Sequence, residues 1–157
     1  MEPRINLMTT GGKAVKALSS VGAYLAKASV EASLLHLIYF RVSQINGCAF
    51  CLDMHAKDAR AEGETEQRLH MIAGWREAIV YTDRERAAFA WAEALTTIHQ
   101  HEVPDAVYEE LRNHFSEEEI VDLTIAVTTI NSYNRINIAF RTPGGHYQPG
   151  MFAAKAN

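Results

Sequence analysis

The sequence predicts an all-α fold, a compact bundle of about seven helices, and three observations carry that reading. Apolar residues recur at helical spacing along most of the chain. Two helix starts read as capping boxes, Thr82 with Glu85 and Ser116 with Glu119. No Asn-Gly turn joins two alternating runs, since Asn46-Gly47 sits between two helical patterns instead. No internal repeat is evident, and 157 residues make one expected domain, 1–157, with its core at about 13–141.

Residues 1–11 read as a loosely ordered arm, with Pro3 and Gly11-Gly12 marking its end. A first helix runs from Lys13 to Ala28 on Val15, Leu18, Val21 and Leu25. Ser29 is the expected cap of a second, Val30 to Asn46, apolar almost all round as a buried central helix should be; Gly47 stops it. The third starts at Cys48 and runs to about Glu62, where Gly63 ends it. Thr65 opens a fourth that ends near Trp75 to Ala78, and Thr82 launches a fifth through Phe89, Trp91, Leu95 and Ile98. Pro104 begins a short sixth, Asp105 to His114. Ser116 starts a long seventh. Its segment Ile120 to Ile130 is rich in Val, Ile and Thr, which favours a strand on propensity. Acidic residues at 117–119 and the length of the run favour a helix. Thr142-Pro143-Gly144-Gly145 ends it, and the tail through Asn157 reads as irregular.

Composition narrows the function classes. Apolar residues make up 48% and charged residues 22%, the balance of a soluble globular protein. A net charge of −4 leaves no basic footprint for nucleic acid. No signal pattern opens the chain and no apolar run reaches membrane-spanning length, so the expected setting is cytoplasmic, with no membrane partner. In a reducing compartment, two cysteines three apart point to catalysis or metal binding before a structural staple.

Gly47 to His55 holds both cysteines and a histidine four residues after the second. Cys48 falls at the N-cap or first turn of a helix, where free N–H groups and the dipole favour a thiolate. His55 shares a face with Cys51, close enough for a hydrogen bond or ion pair. The i,i+3 spacing also lets Cys48 and Cys51 close a disulfide. A zinc site stays open, since Cys, Cys and His are proper ligands, although a clear fourth is missing. So does a pair of inert buried thiols. Leu52 stands where c-type haem attachment needs a histidine, and thioredoxin-like chemistry needs a βαβ context that is absent.

Ile45-Asn46-Gly47-Cys48 through Cys51 and His55, preceded by Arg41-Val42-Ser43-Gln44, resembles the AhpD-like alkylhydroperoxidase branch of the carboxymuconolactone decarboxylase superfamily. The likeness is strongest over about 31–62 and continues through Glu66-Gln67-Arg68-Leu69 and Trp75-Arg76-Glu77-Ala78 to Glu85-Arg86-Ala87-Ala88, more weakly around Asn131 to Asn137. It implies an all-α antioxidant fold, a homo-oligomer (trimer or hexamer), and reduction of hydroperoxides with a lipoyl or thioredoxin-like protein as dithiol reductant. No metal or organic cofactor is implied. By position, Cys51 matches the peroxide-attacking cysteine, Cys48 the resolving cysteine and His55 the histidine of the proton relay. Two departures stand out. His36 occupies the position of a family glutamate twelve residues before the first cysteine, and Phe50 that of a second motif histidine. A neutral His36 can accept a proton near neutral pH, so it joins the candidate catalytic set. Glu31, five residues upstream of His36, lies on another face.

Asp53 is expected to face away from Cys51 and His55; Asp58, one turn beyond His55, is a candidate for orienting its ring. Asn131, Asn134, Arg135 and Asn137 on a buried helix need hydrogen-bond partners, expected in backbone or a neighbouring subunit. Tyr39, Trp75 and Trp91 read as core or interface, and the remaining histidines as surface. Two other functions compete: a redox-sensing or thiol–disulfide exchange protein without efficient turnover, and a decarboxylase-like enzyme of the same superfamily, whose members typically lack the cysteine pair.

Overall fold

A computed structural model describes residues 2–152, apart from the side chain of Met8; the final residues of the expected irregular tail lie outside them. The described elements are helices: α1 Leu7–Thr10, α2 Gly12–Leu25, α3 Ala32–Asn46, α4 Ala49–Ala61, α5 Glu66–Met71, a 3-10 turn Ile72–Gly74, α6 Asp83–Thr96, α7 Asp105–Arg112 and α8 Glu117–Phe140. The seven expected helices are α2 to α8, and α1 lies inside what reads from sequence as a loose arm. That arm is tied down, because Arg4 donates its backbone N–H to Phe140 O (2.9 Å) and its guanidinium to Ala139 O (3.1 Å).

α3 is the centre, packed against α4, α6 and α8. Leu34, Leu35, Leu37, Ile38 and Val42 are buried on it, which explains why its sequence shows so little polar face. Its start differs from expectation. Val30 drops into the core before the helix begins, and Glu31 takes the N-cap position without capping, its carboxylate held by Arg84. Ser29 is therefore not the cap.

Both capping boxes form, with the Thr82 and Ser116 hydroxyls accepting from the N–H groups of Glu85 and Glu119. The Val/Ile/Thr segment of α8 is helical throughout. The Thr124 and Thr128 hydroxyls donate to the carbonyls of Ile120 and Ile125, so these residues need no strand partner. α5 ends sooner than its pattern implies. Arg86 from α6 donates to the carbonyls of Trp75, Arg76 and Ala78, so the chain after Gly74 is satisfied without further helical turns.

After α8, Arg141 adopts the left-handed conformation (φ 58°) and the chain doubles back over the start of α4. This strap, residues 142–152, is well anchored. Asp53 Oδ2 accepts from Gly145 N (2.8 Å) and Tyr147 N (3.1 Å), and Lys57 Nζ donates to Tyr147 O (2.8 Å). Gly144 lies so close to α4 that a Cβ would sit 2.6 Å from Ala49 O. Among the described residues, no helix is long and apolar enough to cross a membrane.

Candidate functional site

The site begins where α3 ends. Gly47 is left-handed (φ 71°), a conformation costly for residues with a Cβ, and it turns the chain directly from α3 into α4. Cys48 then sits extended as the N-cap of α4, its Sγ accepting from Cys51 N–H at 3.4 Å. This places Cys51 one turn further in, with a Cα separation of 5.4 Å that suits a disulfide, and the two are joined as one. Both are 1% exposed. The Asn137 amide of α8 lies 3.6 Å from Cys51 Sγ as a hydrogen-bond donor. A donor there favours negative charge on sulfur, adding to the helix N-terminus.

His55, on the same face of α4, is buried with 7% of its surface exposed. Neither ring nitrogen has a hydrogen-bond partner among the described residues. Burial, with a smaller contribution from the charge of His36, lowers its pKa to about 3, so the ring is neutral at physiological pH. The expected hydrogen bond or ion pair between Cys51 and His55 is absent in the disulfide form: the sulfur bonds to Cys48 and takes the Asn137 donor, and a neutral imidazole cannot form an ion pair.

The rings of Tyr39 and His36 complete this side. Tyr39 lies 5.0 Å from His55 between ring centroids, and burial raises its phenol to about 12, so it keeps its proton. The His36 ring lies 6.3 Å from that of His55. His36 Nε2 pairs with Glu62 Oε1 at 3.2 Å, whereas its Nδ1 is buried without a partner among the described residues.

Behind the cysteines runs a polar seam between α3, α6 and α8. Asn134, fully buried, donates to Ser43 Oγ (3.0 Å) and accepts from Asn46 Nδ2 (2.8 Å). Asn46 also reaches Asn131, which donates to Thr96 Oγ1 (3.1 Å). The partners are thus largely side chains of the same chain, not only backbone. They lock the end of α3, and with it the turn carrying Cys48, to α8.

The structure therefore gathers Cys48, Cys51, His55 and His36 on the α3–α4 pair. Asp58 does not join them. Its Oδ1 accepts from Tyr147 Oη at 2.8 Å, so the strap claims the candidate carboxylate for orienting His55. Asp53 faces the strap as well, away from the pair, and Glu31 is bound to Arg84. Trp75 and Trp91 are buried; His70, His99, His101 and His146 are exposed, with His114 half-buried. Asn137, Glu62 and Tyr39 are the neighbours that sequence reasoning missed in these roles. Only Asn137 carried a usable signal: it follows Asn134 by one turn, on a face that has to be buried and so has to find a partner. No three His, Cys, Asp or Glu side chains converge as a metal-binding group among the described residues.

Residues 12–94 match the carboxymuconolactone decarboxylase family. Over 139 residues the chain is 41% identical to the uncharacterized protein YdfG of Bacillus subtilis, covering 88% of this chain and 95% of YdfG. A crystal structure from Agrobacterium tumefaciens, of a protein of unknown function given as a candidate antioxidant defence protein AhpD, is 42% identical with a TM-score of 0.89. That likeness covers 93% of this chain and all of the other. An uncharacterized peroxidase-related protein of Ralstonia eutropha, with an alkylhydroperoxidase AhpD core, shares the fold at TM-score 0.77 and 20% identity, covering 89% of this chain and 74% of that one. These likenesses and the paired cysteines fit an antioxidant role. The chain belongs to the carboxymuconolactone decarboxylase family, in its AhpD-like branch.

Proposed function

We propose that this protein is a thiol-dependent hydroperoxide reductase. The observation that carries the reading is a cysteine pair bonded at a helix N-terminus beside a buried, neutral His55 whose nitrogens have no hydrogen-bond partner among the described residues. In the reduced state Cys51 is the attacking thiol. Its thiolate takes the distal peroxide oxygen, breaking the O–O bond and leaving a sulfenic acid and an alkoxide, which collects the proton the thiol gave up. Cys48 then attacks the sulfenic sulfur, forming the disulfide and releasing water. A dithiol, lipoyl or carried by a thioredoxin-like protein, restores both thiols by exchange. His55 passes the proton without storing it, since a ring with a pKa of about 3 does not hold a positive charge at neutral pH. A neutral imidazole can accept at one nitrogen while releasing from the other. His36 is the next group in that relay. Assembly as a homo-oligomer in the cytoplasm belongs to the same reading, supported by exposed Val121 and Ile125 on α8.

A second reading draws on one observation: at 1% exposure neither sulfur is open to a bulky protein reductant. Oxidation by a small peroxide followed by slow re-reduction describes a redox sensor. The deciding experiment titrates free thiols and bound zinc, then adds a hydroperoxide. Rapid loss of two thiols per peroxide consumed, with turnover sustained by a dithiol, supports the peroxidase. Two thiols lost without turnover moves the assignment to the sensor, and a persistent equivalent of zinc refutes both.

A further inference from the structure

Glu62 closes α4 as its C-cap residue, seven positions after His55 and therefore on the same helix face two turns on. Its Oε1 is 3.2 Å from His36 Nε2. A carboxylate only accepts, so the hydrogen of a neutral His36 ring is drawn to Nε2 and its lone pair is left on Nδ1. That nitrogen is the one that is buried and has no partner among the described residues. The neighbouring ring, 6.3 Å away between centroids, is His55, whose nitrogens are in the same condition. Exposure rises along the series, from 7% for His55 to 18% and 49% for the His36 and Glu62 side chains. Outside Glu62 lies a cleft of about 250 Å³, lined also by Ser33, Gly63, Glu64, Arg68 and Glu85. Arg68 there is held by Glu64 and Glu85, which leaves the Glu62 carboxylate to His36.

We propose that Glu62 is a positioning residue of the redox site: it fixes the tautomer of His36 and connects the buried histidines to solvent. The chain thereby regains a carboxylate beside the position where His36 stands in place of an acid, supplied from the end of a different helix. For what the proton serves, this rests on the peroxidase reading. On thiol activation a proton leaves Cys51 through His55 to His36 Nδ1 as the Nε2 hydrogen passes to Glu62. On O–O cleavage it returns by the reverse steps to the alkoxide. The two passages cancel, so His36 ends each cycle in its starting tautomer and no net proton is gained or lost. His36 is faced by Tyr39 on its own helix and by His55 and Glu62 from α4. Tyr39 keeps its proton, and so leaves the path to the other three.

The test uses the full chain with Glu62→Ala, Glu62→Asp, His36→Ala and the double variant Glu62→Ala/His36→Ala. Nitrogen-15 NMR of the oxidised protein reads the His36 tautomer directly, with no peroxide present. The expected result is protonation at Nε2 in the wild type and in Glu62→Asp, and a tautomer mixture in Glu62→Ala. The kcat/KM for a small hydroperoxide, read across pH 6–8, should fall about tenfold in Glu62→Ala and in His36→Ala, and no further in the double variant. Glu62→Asp should restore the rate to within about twofold. An unchanged tautomer overturns the proposal, and so does a moved tautomer with an unchanged rate. If the tautomer responds as expected while even the wild type consumes no peroxide, the peroxidase reading fails and the positioning of His36 by Glu62 stands.

Discussion

Replacing His55 by Phe should flatten the acid limb of the stability profile. The folded-state pKa is about 3 and the unfolded reference 6.5, so in this window the unfolded chain binds the proton and the folded one does not. Stability linked to His55 is therefore fully present above 6.5 and falls as the pH drops towards 3. At about 1.4 kcal/mol per pH unit, the wild type loses about 2 kcal/mol at pH 5 and about 3 kcal/mol at pH 4 from this residue alone. Phe keeps a ring against Tyr39 and cannot titrate. Carboxylates held low by hydrogen bonds and ion pairs, such as Glu93 with the Trp75 indole N–H, Arg76 and Arg41, titrate alike in both proteins and cancel in the difference. Urea unfolding of the oxidised proteins at pH 7, 6, 5 and 4, followed by the fluorescence of Trp75 and Trp91, gives the two profiles. Parallel profiles within about 0.5 kcal/mol across that range would refute the claim that His55 is buried neutral.

Cys51→Ser should abolish peroxide-dependent thiol loss, whereas Cys48→Ser should stop at a sulfenic acid that dimedone traps, read by mass spectrometry; the reverse pattern would exchange the two roles. Asn134→Ala strips Ser43 and Asn46 of a buried partner and should cost about 3 kcal/mol in urea unfolding, against a fraction of that if the seam merely fills space. Gly144→Ala forces a Cβ to 2.6 Å from Ala49 O and should lift the strap. Limited proteolysis should then cut between residues 142 and 152 faster than in the wild type, at unchanged helix content by circular dichroism; equal cutting rates would show that the strap absorbs the change.

What the residues alone determined is local. The capping boxes at Thr82 and Ser116, the left-handed stop at Gly47 and the cysteine N-cap at Cys48 each depend on groups within a turn of one another. The helices and the position of the cysteine pair follow from such contacts, and the resemblance around Cys48, Cys51 and His55 rests on the same short stretch. Tertiary structure decided which groups meet that stretch. Asp58 is one turn from His55, yet it goes to Tyr147, 89 residues away. Asn137 reaches Cys51 across 86 residues, and Glu62 meets His36 across 26. The neutrality of His55 likewise comes from being enclosed, since helical spacing specifies the face a side chain occupies but not the depth at which it lies or what packs over it. Spacing along one helix could therefore place the sulfurs, while the meeting of His55, His36 and Glu62, on which the proposed proton path rests, required α3 and α4 to be packed together.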